Sequence, residues 1–495
     1  MSKIRVSAEM KKIPAEKLAG KRILSHRGYS IPKSALTHGE SAHLMHALTV
    51  TPATQAQFAG GAESFPVYYE SPNRYYVPRF WGIKAFGAPD SDIREEGKPL
   101  RDELIFQGSL RPEQIEITNT FIEKGANGII CVPCGWGKTF MSLSIMGSIK
   151  RKTIIIVHKE FLVEQWKKEL LRVYPTLRIG KLQADKEEIG DEYDVTIAML
   201  QTVAKRDYPE GYFGDFGFAI FDECHHLGAA YFSRTLMKIQ TKHMLGLSAT
   251  PDRTDGLSKV FTWYLGDLTT RIKNREADAE VEVRIYSYTS TDETYMHTDY
   301  DYQGNPIRPR LLTQIADYEP RTRYLVGAVK EAYDEGRKTL ILSDRRAHLQ
   351  SWEQLMTEAG IESIAYYVGG MKQKALDESE KARVLLATYS MAAEAMNIPA
   401  LNTIVLSTPK SNVEQSVGRI LREKKEDRMF TPRIIDCLDL PHQIFVSQFR
   451  KRKEYFQKCS YKISYWNANG SVDTADAETG DNEEKSAGVC LIVDD

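Results

Sequence analysis

The sequence predicts an α/β protein with two parallel-sheet domains in tandem behind a small N-terminal accessory domain. Three observations predict it. From about residue 110, short apolar runs suited to buried strands recur in two series. Helix-length amphipathic segments, such as FLVEQWKKELLRVY (161–174), lie between the runs. A charge-rich irregular stretch over residues 271–280 divides the first series from the second. Strands alternating with helices assemble through right-handed crossovers, which place helices on the faces of a sheet.

Composition sets the outer limits. The chain has 495 residues, 42% hydrophobic and 27% charged, an ordinary globular mixture that excludes wholesale disorder. Lys and Arg (66) nearly cancel Asp and Glu (67), so any affinity for nucleic acid must come from local clustering of charge. No apolar run approaches the ~18 residues that span a bilayer, and the start MSKIRVSAEMKK lacks the apolar stretch of a signal peptide. Six cysteines make no dense disulfide framework. A soluble intracellular protein of the cytoplasm or nucleus, with no membrane partner, is the expectation.

Residues 1–105 read as the accessory domain. The first 60 residues carry nine Lys/Arg against three Glu, a flexible basic start, and an aromatic segment runs from Tyr68 to Trp81. A cover packed on the next domain is the plainer reading of the same residues. Residues 106–275 hold the first strand series: ANGIICVP (126–133), KTIIIVH (152–158), DVTIAML (194–200), FAIFDE (218–223) and HMLGLSA (243–249). Residues 276–320 read as a linker. Residues 321–445 hold the second series: KTLILSD (338–344), SIAYYVG (363–369), RVLLATYS (383–390), NTIVLSTP (402–409) and PRIIDCLD (432–439). Residues 446–470 form a basic-aromatic segment in which Phe449 to Trp466 has six Lys/Arg, one Glu and six aromatics. That mixture suits phosphate contact with base stacking, and equally an amphipathic helix docked with its charges solvated. Residues 471–495 read as an acidic disordered tail, with eight acids and one lysine from Asp473 onward.

The first strand runs into Val132-Pro-Cys-Gly135-Trp-Gly137-Lys138-Thr139 and then a helical stretch. Gly135 and Gly137 leave backbone N–H groups free to converge on phosphates, and the helix supplies its positive end. Lys138 is placed to neutralise phosphate charge, and the Thr139 hydroxyl to ligate Mg²⁺. Val132 stands where the general GxxxxGK[ST] pattern has its first glycine. Cys131 and Cys134 make a CxxC, but no second CxxC or CxxH completes a zinc set, so both read as loop residues. Downstream, the strand FAIF delivers Asp222 and Glu223 to its carboxyl end, followed by Cys224-His225-His226. Adjacent carboxylates there suit metal-assisted hydrolysis, with Asp222 holding Mg²⁺ and Glu223 acting as base toward water.

Together these residues resemble a superfamily 2 helicase, and further segments in order strengthen the resemblance. Leu110-Arg-Pro-Glu-Gln114 resembles the LRxxQ segment whose glutamine reads adenine. Val157 through Trp166 is similar to motif Ia, and Leu200-Gln201-Thr202 to the next backbone contact. Ser248-Ala249-Thr250 resembles the coupling motif III, Leu340 to Arg346 motif IV, and Ala387-Thr388 with Glu394 to Pro399 motif V. Gln415-Ser-Val-Gly418-Arg419-Ile-Leu-Arg422 resembles motif VI in its full QxxGRxxR spelling. DECHH with GLSATPDRTDGL is most similar to the group that includes XPB, phage UvsW and homologues in large DNA viruses. Where the XPB branch has Arg-Glu-Asp, this chain has Arg253-Thr254-Asp255. Ala395 and Asn397 stand where many relatives have Gly and Asp, and Asn397 keeps the capacity to hydrogen-bond a ribose.

The resemblance implies two RecA-like domains with ATP between them and an ATP-driven helicase or translocase on DNA. An RNA or RNA–DNA helicase of viral transcription, and a remodeller that uses ATP only as a switch, are the alternatives. A restriction-type motor shares these motifs, but no nuclease cluster stands in the flanking segments. In the family picture, Gln114, Gly135, Gly137, Lys138, Thr139 and Asn397 bind nucleotide, and Arg419 and Arg422 reach the γ-phosphate as arginine fingers. His225, Ser248, Thr250 and Gln415 couple the nucleotide to the strand. Lys159, Gln165, Thr202, Arg253, Arg345, Arg346 and Thr388 are the candidate nucleic-acid contacts, all to backbone, with little sequence preference. ATP and Mg²⁺ are the implied cofactors, and replication, repair or transcription proteins the implied partners. A viral setting would add the viral factory or virion as locations.

Overall fold

The computed structural model describes residues 15–52, 64–133, 135–224, 229–249, 257–272, 277–394, 396, 398–423, 425–467 and 470–472. Of the expected flexible basic start, residues 1–14 and 53–60 lie outside the described residues, as does the acidic tail from residue 473, but residues 15–52 are folded, with strands Ile23–Ser25 and Gly28–Pro32 and helix His38–Ala47. The chain divides into two compact units, residues 1–273 and 274–495.

The first unit is built on an eight-stranded sheet whose inner strands are the five of the first apolar series and Ile179–Gln183, which that series did not include. Its order is Lys186–Glu187, Ile179–Gln183, Val195–Met199, Thr153–Val157, Phe218–Phe221, His243–Ser248, Asn127–Cys131, Leu268–Arg271. Every pairing is parallel except that of the short edge strand Lys186–Glu187. Thr153–Val157, with the sequence TIIIV, is buried at all five positions. Its branched side chains pack against helices on both faces, which is why the run shows no polar alternation. Cys131 is the last residue of its strand, not a loop residue, and is buried. Cys134 lies outside the described residues.

Residues before 105 form a separate five-stranded sheet in the order Tyr69–Glu70, Arg74–Val77, Gly28–Pro32, Ile23–Ser25, Ser91–Asp92. Helix Arg79–Phe86 lies across it so closely that a Cβ at Gly82 would come within 2.5 Å of the Tyr29 ring. This sheet is a cover on the larger one. Tyr264 Oη donates to the Val67 carbonyl at 2.7 Å, Arg94 to the Thr241 carbonyl at 2.8 Å, and Arg79 to Asn127 Oδ1 at 2.9 Å.

The second unit is a second eight-stranded sheet, in the order Ile364–Tyr367, Val384–Thr388, Thr339–Ser343, Thr403–Leu406, Arg433–Asp439, Glu282–Tyr288, Lys462–Asn467, Gly470–Val472. Only the last pairing is antiparallel. One expectation is corrected here and a second is met in part. Residues 276–320 are not a linker: Glu282–Tyr288 is an interior strand, and helix Arg308–Asp317 packs beside it in the unit. The charges that disguised the strand are paired, Arg284 with Glu331 at 2.7 Å and Glu282 with Arg433 at 2.9 Å. The basic-aromatic segment is a helix, Gln443–Lys458, followed by strand Lys462–Asn467. Not all its charges are solvated, because Arg452 is buried on Asp436 at 2.8 Å. A second buried pair, Arg321 on Asp439 with an Nη2–Oδ2 distance of 2.9 Å, also receives Tyr295 Oη at 2.6 Å. Low-dielectric surroundings are tolerable for these carboxylates because each meets a guanidinium in direct contact.

Candidate nucleotide site

The site is assembled at the carboxyl edge of the first sheet. Asn127–Cys131 leads into the glycine loop, and helix Lys138–Ile149 leaves it. Gly135 (φ 82°) and Gly137 (φ 83°) both occupy the left-handed region, which side chains disfavour, so the chain can turn its amides inward. A Cβ at Gly137 would also meet Gln114 Nε2 at 2.6 Å. Gln114 Nε2 donates to the Trp136 carbonyl at 2.8 Å, and Arg111 stacks over the Trp136 ring at 5.2 Å. Helix Pro112–Glu123 is thereby fastened to the loop it was expected to serve.

The acidic pair arrives from strand Phe218–Phe221, which is separated from Asn127–Cys131 by the strand His243–Ser248. Asp222 N continues the ladder to the Ile156 carbonyl at 3.1 Å, and Cys224 N turns to the opposite neighbour, Leu247 O, at 3.1 Å. Glu223, between them, has φ 44°, a strained conformation for a residue with a side chain. Its Oε1 lies 3.1 Å from Lys138 Nζ, so the carboxylate and the lysine of the glycine loop form an ion pair. Asp222 is buried, and its Oδ2 accepts a hydrogen bond from Trp166 Nε1 at 2.8 Å. Burial, and then the charge of Glu223, raise the Asp222 carboxyl above its ordinary range, while Trp166 and Lys138 pull it back. Thr139 is half-buried in the first turn of the helix after Lys138. A lysine, a hydroxyl at a helix start, two carboxylates and two left-handed glycines are the donor set that a magnesium triphosphate needs.

Trp166 is the residue that sequence reasoning passed over. It lies within the motif Ia segment, and its partner is 56 positions away along the chain. The only local signal was an indole on the apolar face of helix Glu160–Val173.

The other candidates are placed as follows. Ser248 ends its strand, fully buried, and its carbonyl accepts from Val132 N at 3.1 Å. Lys159 caps helix Glu160–Val173, and Gln165 is half-buried on it, its amide oxygen accepting no hydrogen bond among the described residues. Thr202 Oγ1 accepts from Ala184 N at 3.2 Å. In the second unit, Arg345 donates to Thr313 Oγ1 and to the Pro309 carbonyl, each at 2.9 Å, and Arg346 donates to the Gly369 carbonyl. Thr388 ends its strand beside Ser390. Gln415 is half-buried on the short helix Glu414–Val417. Arg419 is not a surface residue. It is 6% exposed and donates to the Met396 carbonyl at 2.7 Å. Arg422 is half-buried. His225, Thr250, Arg253 and Asn397 lie outside the described residues.

The family described as type III restriction enzyme, res subunit, matches residues 107–253, and the helicase conserved C-terminal domain matches residues 322–424. The chain is 31% identical over 456 residues to the "Putative ATP-dependent RNA helicase L396" of Acanthamoeba polyphaga mimivirus, covering 90% of this chain and 87% of that protein. It is 27% identical over 365 residues to the "Putative ATP-dependent RNA helicase QP509L" of African swine fever virus, covering 66% and 68%. Among solved structures, T4 UvsW is similar with a TM-score of 0.32 at 15% identity, covering 87% of this chain and 96% of that one. The chain belongs to the superfamily 2 helicases and is an ATP-hydrolysing enzyme of that family.

Proposed function

We propose that this helicase moves on or remodels RNA, alone or paired with DNA, and that the ion pair between Lys138 and Glu223 is the resting form of its hydrolytic site. The names printed for its viral relatives support the choice of strand. Lys138 is expected to exchange Glu223 for the β- and γ-phosphates of ATP, which frees the carboxylate to orient and deprotonate water. Asp222, steadied by Trp166, and the Thr139 hydroxyl would hold Mg²⁺. The ion, when bound, neutralises phosphate charge. Gln114 would read the adenine edge and Asn397 the ribose. Arg419 and Arg422 would stabilise charge building on the transferred phosphoryl group, with His225, Thr250, Ser248 and Gln415 relaying the change. Lys159, Gln165, Thr202, Arg253, Arg345, Arg346 and Thr388 would contact the strand's backbone.

DNA is the second reading, favoured by the DECHH and GLSATPDRTDGL segments, whose spelling is that of the XPB and UvsW group. ATPase stimulation by single-stranded RNA, RNA–DNA hybrid, single-stranded DNA and duplex DNA, with Lys138→Ala as the blank, decides between them. RNA or hybrid is expected to stimulate most. Stimulation confined to DNA would overturn the first reading in favour of the second. ATP turnover without strand displacement on any substrate would leave the ATP-switched remodeller.

A further inference from the structure

Residues 299–307 stand between strand Glu282–Tyr288 and helix Arg308–Asp317 and form a tight closed loop. Ile307 N donates to the Asp299 carbonyl at 2.7 Å, and Asp301 N to the Asn305 carbonyl at 2.8 Å. The Asp301 carboxylate accepts from the amides of Gln303 and Asn305, each at 2.9 Å, and Gly304 (φ 79°) makes the reversal. The shape is set by its own hydrogen bonds, and it carries two largely exposed aromatic side chains, Tyr300 at 61% and Tyr302 at 79%, the Tyr302 hydroxyl accepting from Gln303 Nε2 at 3.3 Å. A single exposed tyrosine means little, but two on one turn whose backbone is already braced offer flat apolar faces at a reduced ordering cost.

The root of this loop is bonded to Arg345, through the Pro309 carbonyl and Thr313 Oγ1. Arg345 follows the carboxyl end of strand Thr339–Ser343, so the root of the loop is tied to the sheet edge that also carries Arg346 and Thr388. Arg345 spends three N–H groups, on Thr313, Pro309 and the Asp344 carbonyl, and a guanidinium has five. Arg310 adds a guanidinium 67% exposed at the side chain. The nearby acids are already engaged, Asp299 by Arg310 and His297, and Asp301 by the loop amides.

Exposed rings on a loop whose root is bonded to a guanidinium suit a strand of alternating bases and phosphates. We infer that the 299–307 loop is a base-stacking element, in which Tyr302, backed by Tyr300, takes the face of an unpaired base in the strand whose phosphates Arg345 and Arg346 contact. The inference rests on the nucleic-acid reading of that edge given above. Stacking of this kind accepts any base, so the loop adds affinity without sequence preference.

Fluorescence anisotropy of the full chain with short labelled single-stranded RNA and DNA, and quenching of 2-aminopurine placed along the strand, test it. Tyr302→Ala is expected to weaken binding roughly 5- to 100-fold and to abolish the quenching at one position, while Tyr302→Trp keeps both. Arg345→Ala is the separate arm for the phosphate contact. Wild-type affinity and quenching in Tyr302→Ala, with Arg345→Ala weakened, would sink the stacking element and leave the nucleic-acid reading standing. Equal loss in Tyr302→Ala and Tyr302→Trp would also overturn stacking, because loop shape and not the ring would be what matters. No binding of either strand by the unaltered protein would overturn both.

Discussion

Trp166 Nε1 donates to Asp222 Oδ2 at 2.8 Å, a hydrogen bond between a motif Ia indole and the carboxylate expected to hold Mg²⁺. Both side chains are buried, so no water replaces the indole if it is lost. Trp166→Phe keeps the ring and removes the donor. A hydrogen bond to a charged group is worth about 1.5–3 kcal/mol, so the Mg²⁺ concentration for half-maximal ATPase is expected to rise roughly 10- to 100-fold. Titrating Mg²⁺ against both turnover and ADP binding separates this from a general loss of fold, because excess Mg²⁺ should rescue the former case only.

Lys138 and Glu223 face one another at 3.1 Å, and their replacements should have opposite signatures. Lys138→Ala removes the cation and is expected to weaken ATP binding at least about tenfold. Glu223→Gln keeps the shape and loses the base, so it should hold ATP while turnover drops by roughly 10²- to 10⁴-fold. Calorimetric binding beside steady-state hydrolysis reads both. Normal turnover in Glu223→Gln would remove the residue from the general-base role.

Gly137 is squeezed between its left-handed backbone and Gln114 Nε2, 2.6 Å from where a Cβ would sit. Gly137→Ala is expected to displace Gln114 from the Trp136 carbonyl and raise KM for ATP, with selectivity for ATP over GTP reduced. Gln114→Ala in the same background removes the clash but not the backbone strain, and should recover part of the phosphate affinity without the base selectivity. Nucleotide competition assays on the single and double variants check this.

His348 makes stability depend on pH. It is buried between Thr322 Oγ1 at 3.0 Å and Ser343 Oγ at 3.1 Å, and burial, followed by the charge of Arg321, pushes its pKa down to about 3. An unfolded histidine takes its proton near pH 6.5. The folded chain therefore binds fewer protons between those values, and stability is full above about 6.5 and declines as pH falls toward about 3, by at most ~1.4 kcal/mol per pH unit from this group. Urea midpoints measured from pH 7 to pH 5 should fall for the parent chain, with a shallower slope for His348→Gln.

Legibility in the sequence followed how local each signal was. Thr153–Val157 is buried throughout and apolar from Ile154 to Val157 because helices cover it on both sides, and such a run reads directly as a strand. Lys138 with Thr139, and Asp222 with Glu223, are neighbours in the chain, so their chemistry could be read without knowing the fold. Glu282–Tyr288 was hidden because its charges find partners on Arg433 and Glu331, which lie far along the chain. Trp166 and the tyrosine loop were hidden for the same reason, since each draws its meaning from a residue brought near only by folding.

The strand Glu282–Tyr288 lies between Arg433–Asp439 and Lys462–Asn467, all parallel. The earliest strand of the second unit is thus flanked by two of its later ones. During synthesis it must wait, with both edges bare, while some 150 further residues emerge from the ribosome. Parallel pairing over such separations is slow, and an uncovered edge of this kind invites other chains. A version shortened after the last helicase motif would leave that wait unended, and chaperone dependence during expression is the behaviour to expect of it.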